Sequence, residues 1–248
     1  MMQVKVVGCG DAFGSGGRGS SCYLVRAAGR TVTLDFGASA LVNFNRFALP
    51  SADIDTIFLS HLHGDHFAGI PFLLLDGQFV RRREKPLVVV GPPGTRARLD
   101  VAMEVLFPGM GQNRWRFEWR VEEVEPGSTT RHGPLTLTTA AVIHPSGAPS
   151  TALRLTDGAR TLAFSGDTEW TEALLPIAGG ADLFICESFM FDGAPVGHLA
   201  YRTLLERRAE LAARRILLTH MGDEMWARRG EVDARHFAVA EDGLELEV

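Results

Sequence analysis

Apolar residues fall in short runs, alternating with polar ones or unbroken, and are closed off by glycine and turn residues, so the chain reads first as rich in strands. Residues 3–7, 22–26 and 31–35 open it, the last two separated by Ala27-Ala28-Gly29-Arg30 as by a hairpin turn. Strand character returns at 56–60, 87–90, 135–142, 151–155, 161–165, 183–186 and 215–219, and 236–239 with 244–248 reads as a final hairpin around Glu241-Asp242-Gly243. Helical spacing lies between these runs, at 71–80, 95–106, 170–177 and 199–213. Pro71 suits a first helical turn, and Tyr201, Leu204, Leu205 and Leu211 form an apolar stripe. The segment 108–117 reads as a loop entering a strand, since Trp115, Phe117 and Trp119 alternate as core-facing residues do, although a lid or a dimer contact is also open.

Strands first, then interleaved helices, is an order that occurs twice. It predicts an α/β fold, a four-layer αββα sandwich of two mixed β-sheets flanked by helices. No linker or low-complexity tract divides the chain, so residues 1–248 are expected to form one domain. The formal net charge of −5 gives no global attraction to nucleic acid, and the short arginine pairs are mixed with glutamate, as on solvated helix faces. No apolar run is long enough for a membrane span, and the first residues lack the basic start and apolar stretch of a signal peptide. Cys9, Cys22 and Cys186 are odd in number and flanked by apolar residues, which fits buried thiols in a cytoplasmic protein.

The chemistry gathers where the predicted strands end. Ser60-His61-Leu62-His63-Gly64-Asp65-His66 puts four potential metal ligands directly after an apolar run, with His61 and His63 spaced to leave the loop on one side. His144, Asp167 and His220 each follow another strand. The expected arrangement gives His61, His63 and His144 to one divalent ion, Asp65, His66 and His220 to a second, and places Asp167 between them. Zinc is the default for imidazole and carboxylate donors, and the same set accepts Mn2+ or Fe2+. Two such ions polarise a phosphoryl or carbonyl oxygen, allow hydrolysis near neutral pH, and suit a small anionic substrate.

The combined pattern of His61-x-His63-x-Asp65-His66, His144, Asp167 and His220 resembles the metallo-β-lactamase superfamily over essentially the whole chain. Gly8-Cys9-Gly10-Asp11 with Gly19-Ser20-Ser21, the turn Leu34-Asp35-Phe36-Gly37, and Asp65-His66-Phe67-Ala68-Gly69-Ile70-Pro71 are similar to its ribonuclease Z and cyclic-phosphodiesterase branch. The resemblance implies a two-zinc phosphodiesterase and a homodimer. Cys186-Glu187-Ser188 followed by Gly197-His198-Leu199 is similar to that branch's later glutamate and histidine, which gives three catalytic candidates. His198 would protonate the leaving oxygen, Glu187 would orient His198, and Asp65 would orient the attacking water. Asp35 either supports the metal loop through its backbone or satisfies its own turn. Phe189, Met190 and Phe191 either line the substrate mouth or pack inside.

Two departures from ribonuclease Z shape the expected substrate. Only residues 145–166 separate His144 from Asp167, too few for a long tRNA-clasping arm, and Leu199-Ala200 replaces the hydroxyl pair usual after the histidine. A small phosphodiester, cyclic ones included, is therefore favoured over tRNA 3′-end processing, and nucleic acid is not the favoured partner. Thioester or lactone hydrolysis on the same metals is the nearest rival, and a non-catalytic metal-stabilised binding protein is the rival of another class.

Overall fold

The computed structural model describes residues 1–193 and 196–248. Five early strands follow the predicted runs closely, β1 (Gln3–Gly8), β2 (Cys22–Ala27), β3 (Arg30–Leu34), β4 (Thr56–Phe58) and β5 (Leu87–Gly91), and a sixth, β6 (Trp119–Glu123), continues the loop that ends in Trp115 and Phe117. Seven more make a second set: β7 (Thr129–His132), β8 (Leu135–Ala141), β9 (Thr151–Thr156), β10 (Thr161–Phe164), β11 (Leu183–Glu187), β12 (Ile216–Thr219) and β13 (Ala238–Val239). The last strand, β14 (Glu245–Glu247), returns to the first set, giving two seven-stranded sheets ordered β14-β1-β2-β3-β4-β5-β6 and β13-β12-β11-β10-β9-β8-β7. Each sheet starts as an antiparallel meander and continues as parallel strands, from β3 in one and from β10 in the other. The order seen twice in the sequence is therefore the topology itself.

Three apolar layers follow from the side-chain alternation. Val4, Val6, Tyr23, Val25, Leu34 and Phe58 of the first sheet meet Leu137, Leu155, Phe164, Ile185 and Leu217 of the second, so the sheets pack face to face. The outer face of the first is covered by α1 (Ala40–Arg46), α2 (Gly64–Phe67), α3 (Ile70–Leu75) and α4 (Thr95–Leu106), whose Phe44, Phe67, Leu74, Leu99 and Met103 share a core with Leu24, Ile57 and Val89. The second is covered by α5 (Leu174–Ala178), α6 (Tyr201–Glu206), α7 (Arg208–Leu211) and α8 (Asp223–Ala227). Every residue of β11 and β12 is buried, the signature of parallel strands covered on both sides. This is the αββα sandwich. Among the described residues no helix is long and apolar enough to cross a membrane.

Some boundaries differ, for local reasons. The helix expected at 71–80 is α3 continued by a wider π turn from Asp76 to Val80, in which the Arg81 N–H reaches the Asp76 carbonyl at 2.8 Å. The one expected at 170–177 shrinks to α5, and that at 199–213 breaks at Arg207 into α6 and α7. The final hairpin does not form: β13 pairs parallel with β12, and β14 pairs antiparallel with β1 in the other sheet. Asp242 explains the change, because its carboxylate is spent across the fold, accepting from the main-chain N–H of Cys9 at 3.1 Å and of Gly19 at 2.7 Å and from Asn43 Nδ2 at 3.0 Å. The tail is thereby drawn from one sheet to the other. Trp115, Phe117 and Trp119 do pack on the outer core of the first sheet, as a run entering β6.

Candidate metal centre

The loop after β4 is shaped by Asp35 from the end of β3. Asp35 has a left-handed backbone (φ 56°), and its Oδ1 accepts from the Ser60 N–H at 2.8 Å while Oδ2 accepts from Ser60 Oγ at 2.8 Å and from His66 Nδ1 at 2.6 Å. Of the two readings of Asp35, support of the metal loop is the one the structure takes. Gly37 makes that contact close, since a Cβ there would stand 2.0 Å from the Asp65 carbonyl oxygen. Burial pushes the Asp35 carboxyl up, against the opposing pull of His66 and Ser60. With Nδ1 committed to Asp35, His66 turns Nε2 inward, 3.2 Å from Asp65 Oδ2 and 3.3 Å from Asp167 Oδ2. Burial disfavours its charged form, but Asp167, Asp65 and Asp35 outweigh that and hold the imidazole well above its usual range.

Asp167 is the hub. It follows Gly166, whose positive φ of 58° and close packing on Ser60 bring the β10 loop against the β4 loop. Its Oδ2 lies 3.2 Å from His220 Nε2, 3.3 Å from His66 Nε2, 3.8 Å from His61 Nε2, 3.9 Å from His144 Nε2 and 4.0 Å from His198 Nδ1. Burial acts to raise its carboxyl, yet His220 and His66 hold it well below the usual range; Asp65 is held down in the same way, by His66 and then His220. His144 engages the Gly197 carbonyl through Nδ1 at 2.7 Å, leaving Nε2 2.9 Å from His63 Nδ1. Burial lowers His61, His144 and His220, favouring the neutral imidazole that a cation requires.

His198 and Glu187 form a pair at the rim. His198 Nδ1 sits 3.3 Å from both carboxylate oxygens of the buried Glu187, which also accepts from the main-chain N–H groups of Thr168 and, at 3.1 Å, Leu199. Burial pushes Glu187 up to about 7; burial acts against a charged His198, but Glu187 outweighs it and raises the imidazole. Phe189 stacks on the His198 ring at 4.7 Å, while Phe191 is buried against Tyr201. Of the aromatic run, only Phe189 reaches the site's side chains.

All seven predicted ligands converge. His61, His63 and His144 form one group, Asp65, His66, Asp167 and His220 a second, and the donor atoms within each lie within 4.8 Å of one another; His144, Asp167 and His198 form a third, overlapping group. The donors fit divalent ions on two counts. The set is imidazole and carboxylate, and the buried His61 Nε2, Asp65 Oδ2 and His66 Nε2 point inward without a hydrogen-bond partner among the described residues, a costly arrangement unless something else satisfies them. The sequence reading missed Ser60, which ties Asp35 to the loop and whose Oγ lies 3.0 Å from His61 Nδ1, and Asp242. A serine directly before the first histidine was the available signal for one; nothing local marked the other.

Comparison with known proteins gives the family. The profile of the Beta-lactamase superfamily domain matches residues 30–221. The probable metallo-hydrolase YhfI of Bacillus subtilis (strain 168) is 26% identical over 226 residues, covering 89% of this chain and 87% of its own length. The crystal structure of the metallo-β-lactamase fold protein YhfI from that species has a TM-score of 0.79 at 24% identity, covering 100% of this chain and 99% of its own. Ribonuclease Z of Methanosarcina acetivorans is 25% identical over 308 aligned positions, covering 100% of this chain and 98% of its own. Human tRNase Z, short form, has a TM-score of 0.80 at 22% identity, covering 99% and 98% of the two chains. With a profile match over most of its length and the same sandwich, this chain belongs to the β-lactamase superfamily, as a metallo-hydrolase of the metallo-β-lactamase fold.

Proposed function

We propose that the chain is a two-ion phosphodiesterase acting on small phosphodiesters, cyclic ones included. The observation that carries this is the Asp167 carboxylate oxygen within 4.0 Å of five imidazole nitrogens, with the other donors divided on either side of it. His61, His63 and His144 would hold one ion and Asp65, His66 and His220 the other, with Asp167 shared. Two divalent cations, Zn2+ by donor type, supply Lewis acidity and a water of lowered pKa.

The chain's own residues do the rest. Asp65 accepts a hydrogen bond from the attacking water and so orients it. His198, with Nδ1 held by Glu187, keeps Nε2 free to give its proton to the leaving oxygen; its side chain is 20% exposed, enough to meet a substrate. A cationic donor with a dedicated buried carboxylate suits an alkoxide leaving from phosphorus, which favours phosphodiesters over thioesters, whose thiolate leaves without a proton. Ribonuclease Z activity is disfavoured because the interval from His144 to Asp167 is spent on β9, β10 and their turns, with no segment left over for a clasping arm. The three free, buried cysteines support a reducing, cytoplasmic setting.

The test is a substrate panel on metal-loaded protein: an aryl phosphodiester, cyclic nucleotides, a tRNA precursor, a thioester and a lactone. Turnover of the small phosphodiesters, abolished by chelator and restored by metal, is expected. Faster turnover of thioester, lactone or tRNA would overturn the reading. His198→Ala should retain both ions and lose roughly 10²-fold or more in turnover.

A further inference from the structure

Each half of the centre is assembled across the seam between the two sheets. His61 and His63 leave β4 while His144 leaves β8, and Asp65 and His66 leave β4 while His220 leaves β12. The ligands themselves span each seam only through their donor atoms, His63 Nδ1 to His144 Nε2 at 2.9 Å in one half and His66 Nε2 to Asp167 Oδ2 at 3.3 Å in the other, and these are the atoms that a bound ion would engage. Two arginines stand at these seams, and every side-chain hydrogen bond described for them ends on a main-chain carbonyl.

Arg98, from α4, donates through Nη1 to the Leu62 carbonyl at 3.2 Å and to the Ser146 carbonyl at 3.1 Å, and through Nη2 to the Gly147 carbonyl at 3.2 Å. Leu62 lies between His61 and His63 on the first sheet's side, and Ser146 and Gly147 follow His144 on the second's. Arg18 joins the two sheets beside His220. Buried beneath the Trp226 ring at 4.1 Å, it donates through Nη1 to the Cys9 carbonyl at 3.2 Å, through Nη2 to the Met221 carbonyl, and through Nε to the Ser15 carbonyl at 2.9 Å. Cys9 follows β1 and Met221 follows β12. The same Cys9 carbonyl accepts the His220 N–H at 3.0 Å, and His220 is held at φ 54°, a conformation that a non-glycine residue keeps only under restraint.

We infer that Arg98 and Arg18 are positioning residues, one for each ion: Arg98 fixes the His61, His63 and His144 trio across its seam, and Arg18 fixes His220 to the end of β1 in the first sheet. The inference rests on the two-ion reading of the site. A guanidinium suits the task because its planar fork reaches carbonyls of two loops in one fixed geometry, which a lysine ammonium cannot copy.

Zinc titration of metal-free protein against a chromophoric chelator tests this by resolving two binding steps, which His63→Ala and His220→Ala assign to their halves. Arg98→Gln should weaken the step lost in His63→Ala by roughly 10–100-fold, the usual cost of removing a group that orients metal ligands, and leave the other step nearly unchanged. Arg18→Gln should do the reverse. Arg98→Lys and Arg18→Lys should fail to restore affinity, whereas a general loss of stability would lower both steps together. Thermal unfolding of each metal-free variant checks folding; should the buried Arg18 variants not fold, the Arg98 pair decides. Equal weakening of both steps, unchanged affinity in Arg98→Gln, or full rescue by lysine overturns the inference alone. A wild-type chain that takes up fewer than two ions overturns the two-ion reading instead, and the inference with it.

Discussion

The two halves of the centre are built on opposite plans. In the Asp65, His66, Asp167 and His220 half every residue is buried, whereas in the His61, His63 and His144 half His63 and His144 are only half-buried as residues, although the His144 ring itself is 4% exposed. The buried half contains both carboxylates, and buried carboxylates need partners at all times; they find them in His66 and His220, with Asp35 behind. The other group is all imidazole, neutral when deprotonated, and tolerates water at its His63 edge. One half is thus part of the folded core before any ion arrives. The other is a set of loops brought into reach.

The strongest way to break that contrast is to remove what the halves share. Asp167→Asn should cost turnover roughly 10³-fold, since ions contribute several kcal/mol of charge stabilisation in such reactions. Metal analysis should find fewer than two ions per chain. Retention of both ions with high activity would show that Asp167 is not the shared ligand.

Next comes the asymmetry itself. Asp35→Ala strips a fully buried carboxylate from His66 Nδ1 and both Ser60 donors, and should destabilise the metal-free protein by about 3–5 kcal/mol, as breaking buried pairs does. His63→Ala should cost less than about 1 kcal/mol, because a half-buried ring leaves behind no buried charge. Denaturant unfolding of the two variants without metal checks both. Equal losses would mean that the halves are not differently built.

Much of this was legible in the sequence because the donors sit at strand ends, and strand ends are marked by apolar runs closing in glycine or serine. His61 to His66 are local, so four candidate ligands are visible at once; His144, Asp167 and His220 each stand at the end of such a run. What escaped depends on which loop meets which. Asp35 had two readings because its acceptor role requires Gly37 to lie against Asp65, a contact between separate segments. The end of the chain was misread as a hairpin because its short strands carry no record of their partners, and Asp242 sends them to different sheets. Arg18 and Arg98 left no trace, since a carbonyl acceptor has no side chain to recognise.

The smallest effect concerns the pair that belongs to neither half. His198 is 20% exposed and is held above its usual pKa by Glu187, against burial. A base with a raised pKa stays protonated as pH rises until that pKa is passed, so a reaction that needs its proton declines on the alkaline side. Glu187→Gln keeps the shape and an acceptor oxygen but removes the charge, so His198 should lose its proton at lower pH. The pH profile of kcat, measured on fully loaded protein, should show its alkaline decline displaced toward acid, with both ions retained. His198→Ala should abolish that decline rather than displace it. A profile unmoved by Glu187→Gln would detach Glu187 from the proton donor and leave it as a brace for the Thr168 and Leu199 backbone, the other contacts it makes.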